Sequence, residues 1–373
     1  MKEKEKWLRL ARISQKCTVT AGVVLAAALL IFPVQGPAAA ASAQIDSINV
    51  AKTESGEAVR PESKKLIPLG HTTGIKLFSE GAMVVGFASL DEAGSRSPAE
   101  AGGLALGDII INVAGQDVSS NETMAQAVAS ADGGPLTIKA KRQGKEVTFT
   151  VNPVLDGASG QYKIGAWVRD SLAGIGTITY VDPENGAFGA LGHGVCDQDT
   201  GELMPIGGGS LMHSEVVGVK KGASGEPGEL TGEYELTRDQ GVLYQNANDG
   251  IFGRITDENV YQGGKALETA PKSELKTGKA QIIANVEGDT TQAYDIEIIR
   301  LYDDEDGSNR DMMIRVTDKR LIDKTGGIVQ GMSGSPIIQG GKLVGAVTHV
   351  LINDSQRGYG ISIEKMLETA RSL

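Results

Sequence analysis

Along the chain, apolar and polar residues alternate over short stretches that glycines interrupt, and this two-residue period predicts strands far more often than helices. Strands are expected at Met83 to Ala88, Ile109 to Val113, Leu136 to Lys141 and Val147 to Val151, the last two joined by a hairpin-like turn at Arg142-Gln143-Gly144-Lys145. A second set follows at Gly176 to Val181, Ala280 to Val286, Tyr294 to Leu301, Met312 to Val316 and Lys342 to Val350. Helical signals are few. Asn121 can cap a helix through Ala131, ended by Gly133-Gly134-Pro135, and Ile363, Met366, Leu367 and Ala370 repeat at helical spacing near the C-terminus. Gly207 to Gly209 and Gly222 to Gly228 read as surface loops. The pattern is that of a mostly β protein.

One apolar run has no polar face. It extends from Thr18 to Val34, follows Lys2, Lys4, Lys6, Arg9, Arg12 and Lys16, and precedes the small residues Ala38 to Ala43. Residues 1–43 therefore read as an export leader, either a cleaved signal peptide or a retained membrane anchor. Polar residues 44–65 read as a linker, and the remainder suits two domains, 66–154 and 155–373. The 50 glycines among 373 residues fit many tight turns, and the net charge of −11 argues against a nucleic-acid partner. Cys17 lies in the leader, so a mature chain would keep only Cys196, with no internal disulfide and no CxxC metal site. Neither a metal nor a cofactor is expected.

The segment Ser97-Pro98-Ala99-Glu100-Ala101-Gly102-Gly103-Leu104-Ala105-Leu106-Gly107-Asp108-Ile109-Ile110 resembles the S-P-A-x-x-A-G-L-x-x-G-D-x-I signature of bacterial PDZ domains. Its local physics is a short helix begun by proline, stopped by paired glycines, and a Gly-Asp turn into a buried strand. The resemblance implies a groove that takes an extended peptide by strand addition, with a glycine-containing loop binding a terminal carboxylate. Leu69-Gly70 and Gly74-Ile75 are the candidates for that loop.

Gly331-Met332-Ser333-Gly334-Ser335-Pro336 resembles the G-x-S-G-[GS]-P nucleophile loop of trypsin-like proteases. A serine hydroxyl is a weak nucleophile and needs a tight loop, an accessible base and amides aimed at the developing oxyanion. By that resemblance Ser333 is the nucleophile, and the amides of Gly331 and Ser333 form the oxyanion hole. Of four histidines, His193 is the best base, because glycines on both sides leave its imidazole reachable. His349 reads as a wall of the substrate pocket, His71 as part of the first domain, and His213 has no evident place. For the carboxylate that orients the base, Asp318, Asp323, Asp295 and Asp197 compete, and spacing does not choose among them.

His193 in G-H-G, the run from Thr325 to Ile337 and the upstream PDZ signature together resemble the stage IV sporulation protein B peptidases. The resemblance implies a PDZ domain followed by a trypsin-like double β-barrel, with His193 as base, Asp318 as orienting acid and Ser333 as nucleophile. It further implies export from the forespore into the space between forespore and mother-cell membranes. There the protein would process itself and cut a membrane-associated regulator of an intramembrane protease, activating a late mother-cell sigma factor. A non-catalytic exported PDZ scaffold is the alternative. A protease built on Cys196 is weaker, since no glycine-framed loop surrounds that thiol. Tyr302 to Gly307 lacks the first and last ligands of a calcium loop and reads as a solvated acidic turn. Gly326 to Gly334 lacks the Gly-Lys-Ser/Thr ending of a phosphate loop.

Overall fold

The computed structural model describes residues 63–90, 96–157, 159–303 and 310–371. The expected leader, nearly all of the linker and most of the acidic turn at 302–307 lie outside them. The described chain opens with β1 (Lys65–Pro68) and the 16-residue β2 (Thr72–Phe87). A compact excursion follows: α1 (Pro98–Ala101), β3 (Ile109–Val113), β4 (Gln116–Asp117), α2 (Asn121–Ala129), β5 (Leu136–Arg142), β6 (Lys145–Val151), β7 (Val154–Asp156) and β8 (Gln161–Lys163). The chain then returns along β9 (Ala166–Val181).

The PDZ-like signature folds as its residue types dictate. Ser97 caps α1 by accepting the Glu100 amide at 3.1 Å, and Pro98 occupies the first turn, where no amide is needed. Buried Asp108 accepts two 2.7 Å hydrogen bonds from the Arg142 guanidinium and one of 2.8 Å from the Ala105 amide, which fixes the turn into β3. Ser120, one residue earlier than expected, caps α2 in a reciprocal arrangement with Thr123. Val84, Ile110, Val113, Val128, Ile138 and Val151 are buried together beneath these elements.

β2 and β9 are each longer than one sheet requires, and each serves two. Residues 83–87 of β2 pair with 166–169 of β9 beside β3, in the excursion's own sheet. Residues 72–78 pair with 171–177 of β9 on one side and with β11 (Gly208–Lys220) on the other. Adding β10 (Ala187–Ala190), β12 (Glu229–Ala247) and β13 (Gly250–Ile255), the pairings run β9-β10-β13-β12-β11-β2 and back to β9, which closes a barrel. Residues 66–78, expected in the PDZ unit, thus belong to this barrel, and the PDZ-like excursion is inserted into its β2–β9 hairpin. Gly208 and Gly209, expected in a surface loop, lie in β11, and a Cβ on Gly209 would sit 2.4 Å from the Lys76 carbonyl. The glycine serves close strand approach there, not a turn.

After the two-residue β14 (Leu267–Glu268), a second closed barrel is built from β15 (Gly278–Asn285), β16 (Thr291–Leu301), β17 (Met312–Val316), β18 (Pro336–Gln339), β19 (Lys342–Leu351) and β20 (Asp354–Ser362). Helix α3 (Lys319–Thr325) lies between β17 and β18, and α4 (Ile363–Ala370) follows β20. Ile282, Ile296, Ile298, Ile314, Ile337 and Val347 are among the side chains filling this barrel. Tyr180 and Phe252 of the first barrel are buried against Leu343, Ala346 and Ile361 of the second and Met366 of α4. The expected surface loop at 222–228 is one, with residues 223–226 exposed, and it is anchored at its start by the Gly222 amide, which donates to the Thr325 carbonyl of α3 at 2.8 Å.

Candidate active site

The nucleophile loop leaves α3 at Gly326, whose left-handed conformation (φ 78°) ends the helix, buries Ile328 and Val329, and turns at Gly331 to Ser335 into β18. Gly334 has φ +98°, and a Cβ on it would lie 2.1 Å from the Thr177 carbonyl oxygen and 2.6 Å from the Leu191 nitrogen. Only glycine lets the serine loop approach the first barrel this closely. Thr177 of β9 fastens the contact. Its amide donates to Ser333 O at 3.0 Å, its hydroxyl to Gly331 O at 2.7 Å, and its own carbonyl accepts the Leu191 amide at 3.1 Å. Leu191, buried with φ 69°, and Gly192, φ 68°, then deliver His193.

His193 and Ser333 line one cavity of about 390 Å³, with Ile75, Leu77, Leu172 and Val195 supplying apolar wall. The two candidate catalytic residues thus come from different barrels and line one cavity where Thr177 ties the barrels together. His193 Nδ1 lies 2.8 Å from the Gly194 carbonyl oxygen. A carbonyl can only accept, so Nδ1 carries the hydrogen and Nε2 keeps its lone pair, which is the tautomer a general base requires. Burial pushes the imidazole pKa down, against a smaller opposing pull from that carbonyl, so the ring is neutral at neutral pH.

The Ser333 hydroxyl donates to the Thr348 carbonyl at 2.6 Å, so its proton is directed at the backbone and must turn away from it before transfer to His193. Among the described residues, the amides of Gly331 and Ser333 donate to no acceptor within the chain, as an oxyanion hole demands. His349, expected as a pocket wall, instead meets His193 ring to ring, with centroids 4.9 Å apart. Partial burial, then His193 and Arg310, lower its pKa to about 4, so it stays neutral beside the base.

Asp318 does not join this pair. It caps α3: its carboxylate accepts the Arg320 amide at 2.9 Å, the Arg320 guanidinium at 2.7 Å and the Asp295 amide at 3.2 Å. The Arg320 hydrogen bonds, aided by the Asp295 and Arg320 amides and opposed by burial, lower its pKa to about 2. Asp323 pairs with Lys319, Asp295 accepts from Gln281, and Asp197 binds Arg169. Among the described residues, no hydrogen bond or ion pair joins His193 to a carboxylate, and a backbone carbonyl does the orienting. The helix-cap reading was available in the sequence, where Asp318 precedes Leu321 and Ile322 and Gly326 follows.

The expected carboxylate-binding loop is likewise elsewhere. The Leu69 and Gly70 amides donate to Thr179 and Ile178, while Gly74 and Ile75 pair with Met212 and Leu211 on one side and Ile175 and Gly174 on the other. Barrel pairing claims these residues, and Ile75 lines the His193 cavity. His71 also lies in this barrel, 3.6 Å from Asp289. Cys196 lines the cavity, but partial burial and Glu202 raise its pKa, the wrong direction for a thiolate nucleophile. Thr177 carried no sequence signal, because its role exists only once both barrels close.

The Tricorn protease PDZ domain profile matches residues 83–156, the end of β2 and most of the inserted excursion. A putative zinc metalloprotease of Bartonella henselae, BH06270, is 38% identical over 92 residues, 24% of each chain, so the present chain spans about a quarter of that relative's length. A solved structure of the Rv3671c protease in an inactive form aligns over 53% of this chain and 83% of its own, with 15% identity and a TM-score of 0.30. The SpoIVB peptidase S55 profile matches residues 160–367, more than half of the chain and the whole span that holds His193 and Ser333. The chain belongs to the SpoIVB peptidase S55 family, a family of serine peptidases.

Proposed function

We propose that this protein is a serine endopeptidase working through a Ser333–His193 pair. His193 Nε2 removes the Ser333 proton, Oγ attacks a peptide carbonyl, and the free amides of Gly331 and Ser333 receive the oxyanion. The protonated imidazole then releases the amine, and water hydrolyses the acyl-enzyme. The observation that carries this reading is the single cavity shared by the neutral His193 and by Ser333 on its glycine-framed loop. Its aliphatic walls favour an apolar residue beside the scissile bond.

The family supports a protein substrate, and its namesake supports a setting in sporulation: export across the cytoplasmic membrane from the forespore, self-processing, and cutting of a membrane-associated regulator on the path to a late mother-cell sigma factor. The test is fluorophosphonate labelling with peptide mapping. Ser333 should be labelled in the parent protein, and Ser333→Ala should abolish labelling, self-processing and peptide cleavage while the unfolding midpoint is unchanged. Cleavage by that variant, or a parent unlabelled at Ser333, would favour the non-catalytic scaffold.

A further inference from the structure

Strand β9 is shared by three parts of the molecule. Residues 166–169 pair in the PDZ-like sheet, Leu172 and Ile175 line the His193 cavity, and Thr177 holds the nucleophile loop. Two adjacent charged residues sit where the strand passes from the first part to the second. Asp170 Oδ2 accepts the Asn121 amide at the start of α2 at 2.8 Å, fastening the strand to the PDZ-like helix. Arg169 reaches the segment after His193, pairing with Asp197 through one guanidinium nitrogen and with Asp199 through the other at 2.6 Å.

Asp197 organises that segment. Its side chain is fully buried, and Oδ1 accepts the Asp199 amide at 3.0 Å, the Thr200 amide at 2.9 Å and the Thr200 hydroxyl at 3.1 Å. Oδ2 is left to Arg169. Asn246 is a further tether, its side chain bonding both the amide and the carbonyl of Val195 and the Met204 carbonyl, and the Asn248 carbonyl accepts the Gly194 amide at 3.0 Å. His193 thus stands at one end of a loop held by neutral hydrogen bonds at 194, 195 and 204 and by one cation at 197. Removing the cation would leave a buried carboxylate with neutral donors alone, and relief of that charge requires the loop to shift or open.

We propose that Arg169 is a positioning residue for His193, and that with Asp170 it couples the PDZ-like module to the base along β9. The proposal rests on the assignment of His193 as base. The coupling has a structural reason, because adjacent residues of a strand point to opposite faces. Asp170 can therefore hold α2 while Arg169 holds the catalytic loop, and a shift of the strand against α2 is felt at Asp197.

The experiment uses the full chain with Arg169→Gln and Arg169→Lys. Arg169→Gln should lower kcat by about tenfold or more, since a misplacement near 1 Å can cost about a hundredfold, with KM changed by a smaller factor than kcat because strand pairing still holds Ile75, Leu77 and Leu172 of the cavity wall while Val195 and Cys196 move with the loop. Arg169→Lys keeps a cation on Asp197 and should restore most of kcat. Hydrogen exchange of amides 194–204 should quicken in Arg169→Gln and return toward the parent rate in Arg169→Lys. A kcat within about twofold of the parent in Arg169→Gln, or no rescue by Lys, would overturn the proposal. Unchanged exchange would overturn it even if the peptidase reading had failed, and absence of Ser333 labelling would count against that reading without touching the exchange result.

Discussion

Asp318→Asn separates a catalytic acid from a structural cap in one substitution. An orienting carboxylate in a serine-peptidase triad is worth about 10⁴ in kcat when replaced by its amide, or about 5.5 kcal/mol. The structure predicts a different outcome. Asn can still cap α3 through its oxygen, so the losses are the ion pair with Arg320, whose side chain is 63% exposed, and the acceptor for the Asp295 amide. Solvent screens most of an ion pair to so exposed a partner, so the loss of stability should be small and kcat should stay within about threefold of the parent. Asp318→Ala, which removes the cap itself, should cost about 1–2 kcal/mol.

The pH dependence carries the same signature. The carboxyl pKa falls from its ordinary 3.8 to about 2 on folding, so its contribution to stability is complete above pH 3.8 and is lost as pH falls through about 2. Parent and Asp318→Asn should therefore differ in urea midpoint at pH 7 and converge toward pH 2. Initial rates of peptide cleavage and urea unfolding on the same preparations check both points. A fall in kcat beyond about a thousandfold with an unchanged unfolding midpoint would refute the cap assignment and return Asp318 to the catalytic centre.

Two further outcomes follow from the site. Burial lowers the His193 pKa, and the neutral ring is the active form, so the acid limb of kcat/KM should fall below pH 6.5; a limb at or above 6.5 in the pH–rate profile would contradict that. Thr177→Val deletes the 2.7 Å bond to the Gly331 carbonyl while nearly preserving shape, and should cost about 1 kcal/mol in urea unfolding together with a several-fold loss of kcat, whereas Thr177→Ser should recover most of both.

Local patterns were readable where one physical cause dominated. The strands Ile109–Val113 and Met312–Val316 match their expected bounds, the second because alternate residues are buried and the first because glycine turns at 107 and 115 limit an apolar run. The glycine-framed Ser333 and His193 were legible for the same reason: close backbone approach demands glycine at those positions. Long-range pairing was not. Residues 72–78 carry too brief an alternation to reveal which strands accept them, so Gly70 and Gly74 suit a loop in sequence, whereas a Cβ on Gly70 would meet the Ile283 carbonyl of the second barrel and one on Gly74 the Tyr234 side chain of β12. Asp318 shows the converse. Its type and nearness to the serine suited two roles, and the helix-capping one prevails because Arg320 lies within reach of its carboxylate.

The insertion between β2 and β9 gives the PDZ-like module two covalent attachments, both in mid-strand. A module on a single tether can swing freely and can be shed by one cut. This one can do neither, since a nick in any of its loops leaves both fragments anchored in the barrel. Its leverage on the catalytic half comes through the backbone itself, so an excised version of the peptidase would have to rejoin the severed hairpin with a new turn before its first barrel could close.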